Sequence, residues 1–218
     1  MEKLSIFKRI EEIIRTEGEL PADFEPEEQE YQEGKISFAP GALEGIINRH
    51  SGGNAGKSDF INTLKQYLLM SPGLALEKFE TEKAAHFQTA TIRKTLLNDI
   101  MKHQKQINAG KVANLAYCFA ANGRKAETVK LGLSMMVLFN FSENPQVCHL
   151  FETLGHCEDF TDYVLMNIGD WAEEKQQDFY FTLARKLHGW GKINVVEVLE
   201  ADTEEKKHWI CAMVVKIR

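Results

Sequence analysis

The 218-residue sequence has no uninterrupted run of about 18 apolar residues, so it offers no transmembrane helix. It has no excess of basic side chains either: 26 basic against 32 acidic give a formal net charge of −6. A dedicated binder of nucleic acid or of an anionic membrane uses a basic footprint to displace counterions, and this balance argues mildly against one. Cysteine is scarce and widely spaced, four in the whole chain, which points to a reducing cytoplasm and not to a disulfide framework. Proline is scarce too, and the five prolines and fifteen glycines fall mostly between apolar-periodic stretches. A hydrophobic fraction of 44% and a charged fraction of 27% exclude collagen-like, low-complexity and wholly disordered classes. The opening Met1-Glu2-Lys3-Leu4-Ser5-Ile6-Phe7 is charged from its second residue and reads as an amphipathic start, not as a signal peptide.

What the chain does have is helical periodicity, in three parts. Over 1–18, Leu4, Phe7, Ile10, Ile13 and Ile14 recur on one face of a helix, and Gly18 stands where a C-terminal cap belongs. Residues 19–57 form an acidic and glycine-rich connecting region. From Glu17 to Glu33 there are eight carboxylates and no Lys or Arg, with Pro21 and Pro26 breaking any helix. That run reads as a solvated loop or linker, the functional alternative being an acidic lid or a tether for a basic partner. These eight charges exceed the net charge of the whole chain, so the remainder is weakly positive. Residues 58–218 then read as helix after helix, which makes the fold class all-α.

The punctuation within 58–218 is specific. Ser71-Pro72 and Asn144-Pro145 each pair a cap with a first-turn proline, and Asn108 caps a stretch that Asn122-Gly123 stops. Between Val129 and Phe139 the apolar residues nearly encircle the axis, as expected of a helix buried between neighbours. Glu158 and Asp159 suit the first turn of a helix ending at Gly169. Asp170-Trp171-Ala172-Glu173 has the form of a capping box, and Thr203 opens the last helix. Ile193 to Leu199 reads as a short helix, although its Val and Ile content also suits a strand. Starts near residues 108, 144, 171 and 203 recur at an interval of about two helices, the period of helical-hairpin repeats.

The segment Leu187-His188-Gly189-Trp190-Gly191-Lys192-Ile193-Asn194-Val195-Val196-Glu197-Val198-Leu199 resembles the inter-helix turn and inner helix of a HEAT-like repeat. The resemblance covers at most residues 58–218 and rests on pattern. It implies hairpins stacked as a short right-handed α-solenoid with a binding surface, and it carries no catalytic residues across.

Four groups of residues invite a chemical reading. Ser51-Gly52-Gly53-Asn54-Ala55-Gly56-Lys57-Ser58 approaches a phosphate-binding loop, but the motif needs glycine where Ser51 stands, and residues 43–50 make a poor buried strand. A glycine-rich loop before a helix is the preferred reading, with Gly56, Lys57 and Ser58 as the candidate phosphate contacts. Cys148-His149 and His156-Cys157 match no zinc spacing, since neighbours on a helix point about 100° apart. No metal site and no cofactor is therefore expected. Seven scattered histidines stand near no recognisable nucleophile, and His50 beside the glycine loop is the one singled out. The basic run from Arg93 to Lys130 includes Lys94, Lys102 and Lys105, yet Asp99 and Glu127 interrupt it and no aromatic stacking pattern accompanies it.

These observations favour a non-enzymatic scaffold or a protein- or peptide-binding module. Its candidate surface comprises His50, Arg93, Lys94, Lys102, Lys105 and Trp190. The alternative is a phosphate-recognising protein: a nucleotide binder through Gly52–Ser58, or a nucleic-acid binder through Arg93–Lys130. The apolar stretch 208–215 lacks the polar face of a terminal capping repeat, so that end is expected to pair with another copy, to pack on the N-terminal helix, or to continue in a longer chain.

Overall fold

The computed structural model describes residues 4–27, 41–42 and 60–216, with side chains in the last helix to residue 213. Among these, every regular element is helical and there is no strand. The first helix, α1 (Ile6–Glu17), starts where Ser5 Oγ accepts from Lys8 N at 3.3 Å and stops at Gly18, whose φ of +86° few residues other than glycine adopt. After it come α2 (Phe60–Tyr67), α3 (Pro72–Glu82), a 3-10 turn at Ala84–His86, and α4 (Thr89–Lys102). The remaining helices are α5 (Ala109–Asn122), α6 (Ala126–Met136), α7 (Pro145–Gly155), α8 (Glu158–Ile168), α9 (Glu173–Lys186), α10 (Gly189–Val196) and α11 (Glu204–Lys216).

Local chemistry accounts for most of these starts. Ser71, Asn108 and Asn144 each accept from a backbone N–H of the first turn, and Pro72 and Pro145 occupy the position where no N–H is needed. Thr203 Oγ1 does the same for Lys206 N at 3.2 Å. One start differs from expectation: α9 begins at Glu173, and Asp170 is not its cap. The Trp171 ring is instead buried against Phe151 and Phe179, and the Trp171 backbone N–H donates to the Ile168 carbonyl at 3.1 Å, so the chain turns once more before the helix begins. His188 precedes α10, which starts at Gly189 and carries Ile193 to Val196 as helix.

The helices pack as consecutive pairs, α5 with α6, α7 with α8 and α9 with α10. The second members, together with α4, make a row in which α4, α6, α8 and α10 each touch the next. On the other side α3 touches α5 and α7 touches α9, while α1 lies between α5 and α7 and touches both. Ile6, Phe7 and Ile10 enter the core there, and Ile6 N donates to the Gly123 carbonyl at 2.9 Å. A single apolar cluster runs from Ile6 to Leu199. At the opposite end α11 sits on α9 and α10 through Trp209, edge-on to Phe181 and under the Lys192 ammonium, and through buried Lys206, 2.9 Å from Asp202 and 3.6 Å from Asp178.

The part of the acidic connecting region that is described, up to Glu27, is folded against the helices. Leu20 and Pro26 are buried, Arg9 donates to the Pro26 carbonyl at 2.9 Å and lies over Phe24, and Glu27 Oε2 accepts from Ala126 N at 2.6 Å. Glu27 also pairs with Lys125 at 2.9 Å. The sequence predicts a solvated loop here, and Glu17, Glu19, Asp23 and Glu25 are exposed, while Leu20, Pro26 and Glu27 tie the stretch to the helices. Farther on, Gly41 and Ala42 lie against the start of α8.

The tightest contact is between α5 and α6. A Cβ placed on Gly132 would lie 2.5 Å from Ala120 N and 2.7 Å from the Ala116 carbonyl oxygen, both rigid backbone atoms. Gly132→Ala is therefore expected to destabilise the chain by about 1–3 kcal/mol through overpacking. A lowered midpoint of urea unfolding followed by circular dichroism would register it.

Candidate functional site

The basic residues singled out in the sequence differ in their surroundings. Arg93 is largely buried, with Nη1 3.7 Å from Asp162 Oδ2 and its guanidinium over the Tyr163 ring. Lys130 is 7% exposed and sits 3.6 Å from Asp159 and 3.8 Å from Glu127. Arg124 bonds Glu80 at 3.0 Å and Lys102 lies 3.6 Å from Asp99. Lys94 and Lys105 are exposed. Trp190 is at the start of α10, where its backbone N–H donates to Glu158 Oε2 at 3.0 Å and its ring is 39% exposed. His50, Gly56, Lys57 and Ser58 lie outside the described residues.

What joins Arg93, Lys130 and Trp190 is α8. Its carboxylates at 158, 159 and 162 reach three other helices: Glu158 caps α10, Asp159 meets Lys130 of α6, and Asp162 meets Arg93 of α4. A charge removed from water this far is costly unless paired, so these cations are held by carboxylates and serve the row of helices before any ligand. The sequence placed Glu158 and Asp159 only at the helix dipole. Nothing local in it signals partners 29 and more residues away.

The opposite row presents grooves. One of about 500 Å³ lies between α3 and α1, flanked by Leu4, Lys8, Leu76, Glu77 and Arg124. The next, about 470 Å³, lies between α1 and α7 and shares Leu4 and Lys8 with the first; Glu11, Glu12, Ile14, Arg15, His149 and Thr153 complete its walls. The third, about 410 Å³, lies between α7 and α9 and shares His149 with the second, with Cys148, Trp171, Lys175 and Phe179 around it. His149 Nε2 is 2.7 Å from Glu11 Oε1, and its ring meets Phe7 edge-on. The neighbouring Lys8 and His149 hold the Glu11 carboxyl below its ordinary 4.5. Leu4 is 55% exposed at the shared wall.

A third feature is a small closed cavity of about 20 Å³ under residues 20–24, large enough for one water. Its wall includes His156, Cys157, Glu158, Asp159 and His188. His156 is buried with neither ring nitrogen hydrogen-bonded among the described residues. Burial, and behind it the Lys186 charge, lowers its pKa to about 4. Burial also pushes up the thiols of Cys157, Cys148 and Cys118, the opposite of what a thiolate nucleophile needs. Among the described residues no three His, Cys, Asp or Glu side chains are grouped as metal ligands. Cys148 turns to the Ser142 carbonyl at 3.4 Å while His156 faces the cavity, so the two Cys-His pairs have different surroundings.

No protein-family model, curated protein or solved structure matches the chain.

His156 sets a pH dependence whose direction is fixed. Its folded pKa of about 4 lies below the ordinary 6.5, so between these values the unfolded chain binds the extra proton and stability falls as pH falls. The full loss is on the order of 3 kcal/mol. Glu11 acts in the same sense, but below its ordinary 4.5. Urea midpoints at pH 7, 5.5 and 4.5 are expected to drop in the native chain and to flatten between pH 7 and 4.5 in His156→Gln.

Proposed function

We propose that the chain is a non-enzymatic interaction module: HEAT-like helical hairpins stacked as a short right-handed solenoid, working in the reducing cytoplasm and binding an extended protein or peptide segment. The observation that carries this reading is the run of three grooves across α3, α1, α7 and α9, joined by the shared walls Leu4, Lys8 and His149. Such a run suits a strand of peptide whose successive side chains enter successive grooves while its backbone crosses the ridges. The row of touching helices α4, α6, α8 and α10 supports the solenoid, in which each pair buries its apolar face on its neighbours. Four free thiols support a reducing compartment, and among the described residues no helix is long and apolar enough to cross a membrane. A phosphate ligand is the weaker reading, because Arg93, Lys102, Arg124, Lys125 and Lys130 already face carboxylates.

Peptides selected from a displayed random library against the full chain test the proposal. They are expected to bind with micromolar affinity, and Leu4→Glu, which charges the wall between two grooves without touching the core, is expected to weaken them about tenfold. Selected peptides indifferent to this variant, or no selected peptide at all together with strongly salt-dependent duplex binding, would replace the peptide reading with the phosphate one.

The C-terminal helix is proposed as a contact between copies of the chain: Trp209 anchors α11, while Cys211 and Ala212 are left exposed. Light scattering checks this part, with a mass that rises with concentration expected. A single-chain mass at every concentration would remove it.

A further inference from the structure

We propose that a fourth groove, between the end of α2 and the turn joining α4 to α5, docks an acidic peptide segment carrying a bulky apolar anchor. The groove holds about 480 Å³ and lies outside the three described above. Its apolar wall is Leu68, Leu69 and Ile107; its polar rim is Lys65, Gln106 and Lys111. Leu69 is 84% exposed, more than any other large apolar side chain among the described residues. It is held out by the turn that follows α2, where its N–H bonds the Gln66 carbonyl at 3.1 Å.

The two rim lysines differ from most of the basic residues around them. Lys65 Nζ donates to Gln106 Oε1 and Lys111 Nζ to the Leu68 carbonyl, each at 3.1 Å. Both acceptors are neutral, and among the described residues neither ammonium meets a carboxylate, so each is positioned at the rim with protons left to donate. Arg93, Lys102, Arg124, Lys125 and Lys130, by contrast, each face a carboxylate. Lys105, exposed in the same turn, adds a further positive charge, and among the described residues no Asp or Glu lines the groove.

Fixed cations around an exposed leucine fit an occupant with two properties. Its carboxylates accept charge-assisted hydrogen bonds from Lys65 and Lys111, and its Leu- or Phe-like side chain removes Leu69 from water. A nucleic acid would satisfy the cations but leave Leu69 wet, and the groove offers neither arginine nor an aromatic ring for base stacking.

A short labelled peptide of Glu and Asp residues around a Leu-Phe pair tests the proposal by fluorescence anisotropy with the full chain. Binding is expected, with a loss of about tenfold for Lys65→Gln, for Lys111→Gln and for Leu69→Ser. Leu69→Ser is also expected to melt at the native temperature, since its side chain has almost no packing to lose. Equal binding of a version with Lys in place of the acids would overturn the proposal, as would indifference to all three substitutions. So would a chain that ignores the peptide yet binds phosphatidylserine vesicles or a DNA duplex in a manner dependent on Leu69 and Lys65. Leu4→Glu leaves this binding unchanged, so the site stands or falls separately from the grooves on the other row.

Discussion

The close seating of α6 against α5 is the contact on which the other packing depends. Gly132 lets the backbone of α6 approach Ala116 and Ala120 with no side chain between, and residues 128–136 of α6 are buried without interruption. A helix covered on every side must place its neighbours, and α4, α5 and α8 all touch it. It must also satisfy the polar groups it carries inside. Ser134 Oγ donates to the Lys130 carbonyl at 2.8 Å, Lys130 reaches Asp159 and Glu127, and Asn167 of α8 donates to the Leu133 carbonyl at 2.9 Å. The polar atoms of this helix thus fix the register of α8 as surely as its apolar ones fix the distance.

That arrangement divides the charged residues by use. Arg93 and Lys130, within the row of α4, α6, α8 and α10, are neutralised by α8 and by Glu127, which makes them part of the architecture. Cations at the edges, such as Lys65 and Lys111, bond only neutral acceptors and keep their charge for the surface. On the other row, α1 separates two neighbouring grooves and supplies Lys8, Ile14 and Arg15 to their walls, with Leu4 just ahead of it. The N-terminal helix is thus both a plug in the core and a builder of the surface proposed for ligands.

Much of the fold was legible because its signals are local. A side chain that accepts from the N–H two or three residues on acts within one turn, so Ser71, Asn108, Asn144 and Thr203 announce helix starts wherever they fold. The all-round apolar pattern of 129–139 announced a buried helix for the same reason. Asp170 misled because the capping pattern competes with burial of the neighbouring Trp171, and the indole gains more by joining Phe151 and Phe179 than the carboxylate gains by capping. The candidate surface was the least legible part. The sequence shows the residue types of Arg93 and Trp190 but not their partners on α8, which engages the guanidinium of one and the backbone of the other.

By itself, the sequence determined the helical class, most helix limits, the burial of α6 and the placement of α1 at the head of the chain, because periodicity and caps are written within a few residues. Only the tertiary structure decided that α1 inserts between α5 and α7, that the acidic stretch as far as Glu27 folds back to cap α6, and that Arg93, Lys102, Arg124, Lys125 and Lys130 each face a carboxylate. It also decided that Lys65 and Leu69 share a groove with Ile107 and Lys111. Pairing and exposure depend on which distant segments meet, and hydrophobic burial, which has no direction, leaves that choice to the shape in which the helices fit.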